Sequence, residues 1–148
     1  AQTFISAFAL GPAKIGSTAI NGLTGISVKP GIGLLLKSYS GNVFVDKCYI
    51  NLRDPQVTLT FEDQGSVHSF GAMYAAMSSS LVCYLRKRTA GGTYVANATT
   101  QHIAITLSGG IGTLDSISGS GQDNSTKSLT AHGTSLSIST SSAITPGS

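Results

Sequence analysis

The sequence predicts a mainly β protein that carries one α-helix, and three observations support this. Its polar content is met by small neutral residues, with 18 Gly, 22 Ser and 16 Thr against 15 charged residues in 148, a composition suited to turns and strand faces rather than to solvated helices. Between the turns, apolar and polar residues alternate with the period of a half-buried strand. Over residues 66–80 alone the apolar spacing changes to 3 and 4, one face of a helix. With 41% hydrophobic residues and a mean hydropathy of +0.20, the chain has enough apolar surface for a core, which excludes disorder over most of its length. Its length fits a single domain spanning 1–148.

Residues 1–36 form an extended N-terminal region with Lys14 and Lys29 as its only charges. Short apolar patches at Phe4, Phe8, Ile15, Ile20, Ile26 and Val28 are broken by Gly11-Pro12, Gly16, Gly22, Gly25 and Pro30-Gly31, which reads as two or three strands joined by turns. Residues 43–52 alternate with one face almost wholly apolar and the other mixed, a half-buried strand. After Asp54-Pro55 the run Val57-Thr58-Leu59-Thr60-Phe61 repeats the alternation, so the two strands are expected to pair as a hairpin over residues 53–56.

Val67, Phe70, Tyr74, Met77 and Leu81 then mark the helical stripe, with Asp63 or Ser66 as N-cap. Residues 81–88 return to strand spacing. Further strands are expected over 94–98, 101–107, 113–117, 128–131 and 135–140, and 141–148 reads as a loose C-terminal tail. Ser108-Gly109-Gly110 lacks the Lys-Ser/Thr pair of a phosphate-binding loop and reads as a hairpin turn.

Charge and chemistry narrow the function. The net charge of +3 is concentrated at Arg86-Lys87-Arg88, unlike the basic face with interleaved aromatics of a dedicated nucleic-acid binder. Cys48 and Cys83 each sit in an apolar strand-like run and are read as buried thiols rather than a disulfide. His68, His102, His132 and six scattered carboxylates show no motif spacing for catalysis or metal ligation, so the expectation is no enzyme, no cofactor and no metal. His102 and His132 read as ordinary surface or interface residues. A small domain with so few charges is expected to hide much of its surface against copies of itself. Uncharged strand edges would suit that assembly.

The element order gives more: ISVKPG in an uncharged N-terminal part, a strand ending VTLTFED, the helix VHSFGAMYAAMSSSL, then IAITLSGGIGTLDSISGSG and TSLSIST. This layout resembles the tail tube protein of long-tailed bacteriophages, a family similar in fold to the tube protein of type VI secretion systems. The resemblance covers most of the chain and is one of layout and texture.

It implies a β-sandwich or barrel flanked by one α-helix, forming hexameric rings that stack into a hollow tube. Four strands per subunit would build a continuous inner barrel through which DNA passes during genome ejection. The implied partners are other copies of the chain, other tail proteins and DNA in transient non-specific passage, with no stable small-molecule ligand. The implied location is the virion tail, and the host cytoplasm during assembly. Family lumens are acidic, whereas this chain has six carboxylates in all, which points to a lumen of neutral Ser, Thr and Gly with few carboxylates.

Asp46 is the lumen candidate under this resemblance. Phe4, Phe8, Ile15, Ile20, Ile26 and the 38–42 loop with Tyr39 are candidates for contacts between rings, and Arg86 and Arg88 for salt bridges between subunits. A secreted, pilus-like β filament and a tail terminator or connector are the alternatives. A carbohydrate-binding module is disfavoured by the absence of Trp.

Overall fold

The computed structural model of the protein describes residues 7–41, 43–45, 47–62, 79–118 and 126–147. Among these the chain is mainly β and every strand pairing is antiparallel. The strands are β1 (Phe8–Ile15), β2 (Thr18–Ile20), β3 (Leu23–Lys29), β4 (Ile32–Lys37), β5 (Lys47–Arg53), β6 (Gln56–Phe61), β7 (Leu81–Lys87), β8 (His102–Ser108), β9 (Ile111–Ser118), β10 (Thr126–His132) and β11 (Ser135–Ser142). The expected helix over 66–80 falls almost wholly outside the described residues, as do Phe4, Asp46 and His68.

Three sheets result: five strands in the order β11-β8-β7-β1-β2, four in the order β3-β6-β10-β9, and the pair β4-β5. The alternation in the sequence explains the packing. In β6 the odd residues Val57, Leu59 and Phe61 are buried, and in β10 Leu129 and Ala131. They form one apolar cluster with Ala13, Ile20, Leu81, Cys83, Ile105 and Leu107 from the five-stranded sheet. Fully burying each large aliphatic or aromatic side chain contributes roughly 1.5–3 kcal/mol.

Two long ribbons organise the strands. In the first, β3 pairs with β6 as far as Lys29↔Gln56, and β4 pairs with β5 from Ile32↔Arg53, with no change of register between them. The expected β5–β6 hairpin is therefore corrected: the chain does not reverse at Asp54-Pro55 but runs on. Pro55 lacks a ladder N–H and holds the residue before it extended, so this dipeptide interrupts pairing without turning the chain.

In the second ribbon, β9–β10 reaches Ile111↔His132 and β8–β11 starts at Ser108↔Ser135, again in one register. The hairpin expected at Ser108-Gly109-Gly110 is likewise corrected. That segment and the facing Gly133-Thr134 carry both strands from the four-stranded to the five-stranded sheet.

The interruptions of the two ribbons meet. Asp54 N–H donates to Gly31 O at 2.9 Å, and Gly133 N–H donates to Pro55 O at 2.9 Å. A Cβ on Gly110 would lie 1.6 Å from His132 O, and one on Gly31, whose φ is +58°, would lie 1.8 Å from Asp54 O. No side chain fits at either place.

Four further expectations change. Residues 94–98 are not a strand: Tyr94 makes one bridge to Arg88 and the rest turns. The turn is held by His102, which is fully buried rather than at the surface or an interface. Its Nδ1 accepts from Lys87 N–H at 3.1 Å, which puts the ring proton on Nε2, and Nε2–H donates to Ala96 O at 3.0 Å.

The expected loose tail is docked. Ile144 is buried and its N–H donates to Asn97 O, while Thr145 Oγ1 lies within hydrogen-bond distance of Tyr84 Oη and Lys14 Nζ. Finally, only Cys83 is a buried thiol; Cys48 is exposed on β5, because the β4–β5 pair leaves the layered part of the molecule.

The junction gives a stability test. Gly31→Ala is expected to destabilise the protein by about 3 kcal/mol or more through backbone collision. Gly92→Ala, with positive φ but nothing within 4 Å of its Cβ, should cost only about 1 kcal/mol. Urea denaturation of the two variants checks the difference, and equal costs would refute a sterically closed junction.

Candidate assembly interface

The β4–β5 pair forms an arm that exposes large apolar side chains on both faces, with Lys37 and Lys47 paired on one of them. Register puts Ile32, Leu34, Leu36, Ile50 and Cys48 on one face and Leu35 and Tyr49 on the other, and every one of these side chains is exposed. At the tip, Val43 and Phe44 are 92% and 84% exposed. An isolated two-stranded hairpin in water has marginal stability, and a contiguous apolar surface of this kind marks an interaction site. Tyr39 lies near the tip, exposed, with Lys47 Nζ 5.9 Å from its ring centre.

The arm's root is fixed by polar contacts at the ribbon junction. Gln56 Nε2–H donates to Asp54 Oδ2 at 2.7 Å, and His132 Nδ1–H donates to Asp54 Oδ1 at 3.1 Å. These two hydrogen bonds, that from Gln56 foremost, lower the Asp54 carboxyl below its ordinary value of 3.8. Beside them a groove of about 320 Å³ has Ile32, Ile50, Arg53, Thr134, Ser135 and Leu136 among its lining residues.

The four-stranded sheet turns its core-distal face outward as rows of small, mostly hydroxyl-bearing residues that end in one row of larger polar side chains. Ser27, Thr58 and Thr130 form one row, Gly25, Thr60 and Ser128 the next, and Lys29, Gln56 and His132 the last, at the junction end. Thr58 and Thr130 share a hydrogen bond of 2.9 Å between their hydroxyls. These rows contain no carboxylate. The strands at the sheet's two edges are β3 and β9.

The sequence candidates fall in different places. Phe8 is exposed at the start of β1. Ile20 belongs to the chain's own core, and Ile15 and Ile26 pack against that core. Ile20 is thereby corrected as a contact between rings, since it is already covered. Arg86 and Arg88 both stack on Tyr94, 4.6 and 4.9 Å from its ring centre, and Arg88 Nη2–H donates to Tyr94 Oη at 2.8 Å. Among the described residues the ion pair is His132–Asp54, and no cluster of His, Cys, Asp and Glu could hold a metal ion.

Sequence reasoning missed the arm itself. The signal was the leucine run Leu34-Leu35-Leu36, which puts apolar residues on both faces of a strand where an ordinary half-buried strand alternates. No protein-family model matches the chain, and no curated protein matches it.

Because the folded-state Asp54 carboxyl sits below its unfolded value, its stabilising contribution is present above about pH 4 and is lost as pH falls through the lowered folded value. Asp54→Asn is expected to flatten the acid limb of the unfolding midpoint plotted against pH. A variant with the wild-type pH profile would remove Asp54 from the junction.

Proposed function

We propose that the chain is a non-enzymatic subunit of a viral tail tube: a β-sandwich of its two larger sheets that assembles into hexameric rings stacked around a conduit for DNA. The observation that carries the reading is the arm, whose uncovered apolar faces need other copies of the chain to leave water. A charged fraction of 10% fits a protein whose surface is largely hidden in an assembly.

The four-stranded sheet supports the conduit. Its edge strands β3 and β9 can pair with those of neighbouring copies, so that β3, β6, β10 and β9 supply four strands per subunit to a closed barrel without free edges. Its rows of Ser and Thr would then face the lumen. Over the rows through Thr58 and Thr60 such a surface offers a passing polyanion neither fixed cations to hold it nor apolar side chains to stack on, while Lys29, His132 and the exposed Ile111 lie at its junction end. Transport without retention follows from that chemistry.

Electron microscopy of the purified protein in negative stain, with sedimentation of the same sample, tests the proposal. Hollow rings or tubes of uniform diameter are expected. Solid filaments would favour a pilus-like fibre, and a stable monomer across a wide concentration range would overturn self-assembly.

A further inference from the structure

We propose that the arm tip of one copy, Val43, Phe44 and Val45, seats in the groove at the root of another copy's arm, between Ile32, Ile50 and Leu136. The inference rests on the self-assembly reading and specifies its contact.

Tip and groove are the two ends of one arm. At about 3.3 Å per residue the six residues of β4 separate them by roughly 20 Å, and a hydrogen-bonded ribbon cannot fold back onto its own root. A tip that enters a groove of this kind enters the groove of another molecule. Donor and acceptor are different surfaces, so the contact is heterologous and propagates into a closed ring or an open stack rather than stopping at a dimer.

Chemistry favours a second copy as the occupant. The groove is mostly apolar, with Thr134 and Ser135 beside Arg53, its one charged lining residue. The tip sequence is apolar, and Asp46, which follows Val45 directly, is the only carboxylate between Arg53 and the N-terminus. An arginine facing a carboxylate across such a contact fixes its register.

Cross-linking tests the contact. Two stocks are made in a Cys48→Ser background, one with Phe44→Cys and one with Ser135→Cys, then mixed under assembling conditions and mildly oxidised. Cys83 does not compete, since burial pushes its thiol up to about 12. A disulfide-linked dimer that requires both stocks is expected. Sedimenting particles without that dimer overturn the docking and leave self-assembly standing. A dimer from the Phe44→Cys stock alone places tips against tips and overturns the groove as the seat. Monomers at every concentration overturn both readings.

Phe44→Asp provides a second readout, because an exposed side chain can be changed without loss of fold. It is expected to raise the concentration needed for assembly about tenfold or more while the unfolding midpoint stays at the wild-type value. Assembly at unchanged concentration would overturn the proposal.

Discussion

The junction of the two ribbons is the constraint from which the rest of the architecture follows. Each ribbon carries its register unchanged across one interruption, the first at Pro30-Gly31 and Asp54-Pro55, the second at Gly109-Gly110 and Gly133. The interruptions are joined by the hydrogen bond from Gly133 N–H to Pro55 O, and the backbones approach so closely that Gly31 and Gly110 leave no space for a Cβ. From this point the second ribbon bends into the five-stranded sheet and the first continues as the arm. The same crossing that joins the two large sheets through β8–β9 and β10–β11 also sends β4 and β5 outward.

A molecule built in this way divides its apolar surface in two. One part closes over Phe61, Leu59 and Leu107 in the shared core. The other, on the arm, has no layer above or below it among the described residues. Polar coverage is supplied by hydroxyls rather than charges, so long-range repulsion between copies is weak and close approach is easy. Low charge and an exposed apolar arm are thus the two features on which the proposed assembly rests. The neutral rows of Ser27, Thr58 and Thr130 extend the same economy of charge to the face proposed to meet DNA.

The strands themselves were largely legible in the sequence. Alternation located β6, β7, β8 and β10 within a residue or two, because their inward positions are buried against one core. Pairing was less legible, since Asp54-Pro55 and Ser108-Gly109-Gly110 have the residue types of turns and the chain uses them to interrupt a ladder. Burial was least legible where polar residues are concerned. His102 is buried because its two ring nitrogens satisfy Lys87 N–H and Ala96 O, groups 15 and 6 residues away in sequence. The candidate site was legible only as texture: a chain poor in charge, with a leucine run that fits neither a helix stripe nor a half-buried strand.

The sequence by itself determined that this chain is mainly β, that it has an apolar core, and that it carries few charges for its length. Those properties depend on composition and on a period of two, which are local. Only the tertiary structure decided that β5 continues β6 instead of pairing with it, that Ile20 lies inside while Leu34 and Phe44 lie outside, and that residues 143–147 are docked. These outcomes depend on which segments distant in sequence share a ladder or a layer. A strand's residues carry its alternation, but whether anything covers its faces is set by neighbours the strand does not encode.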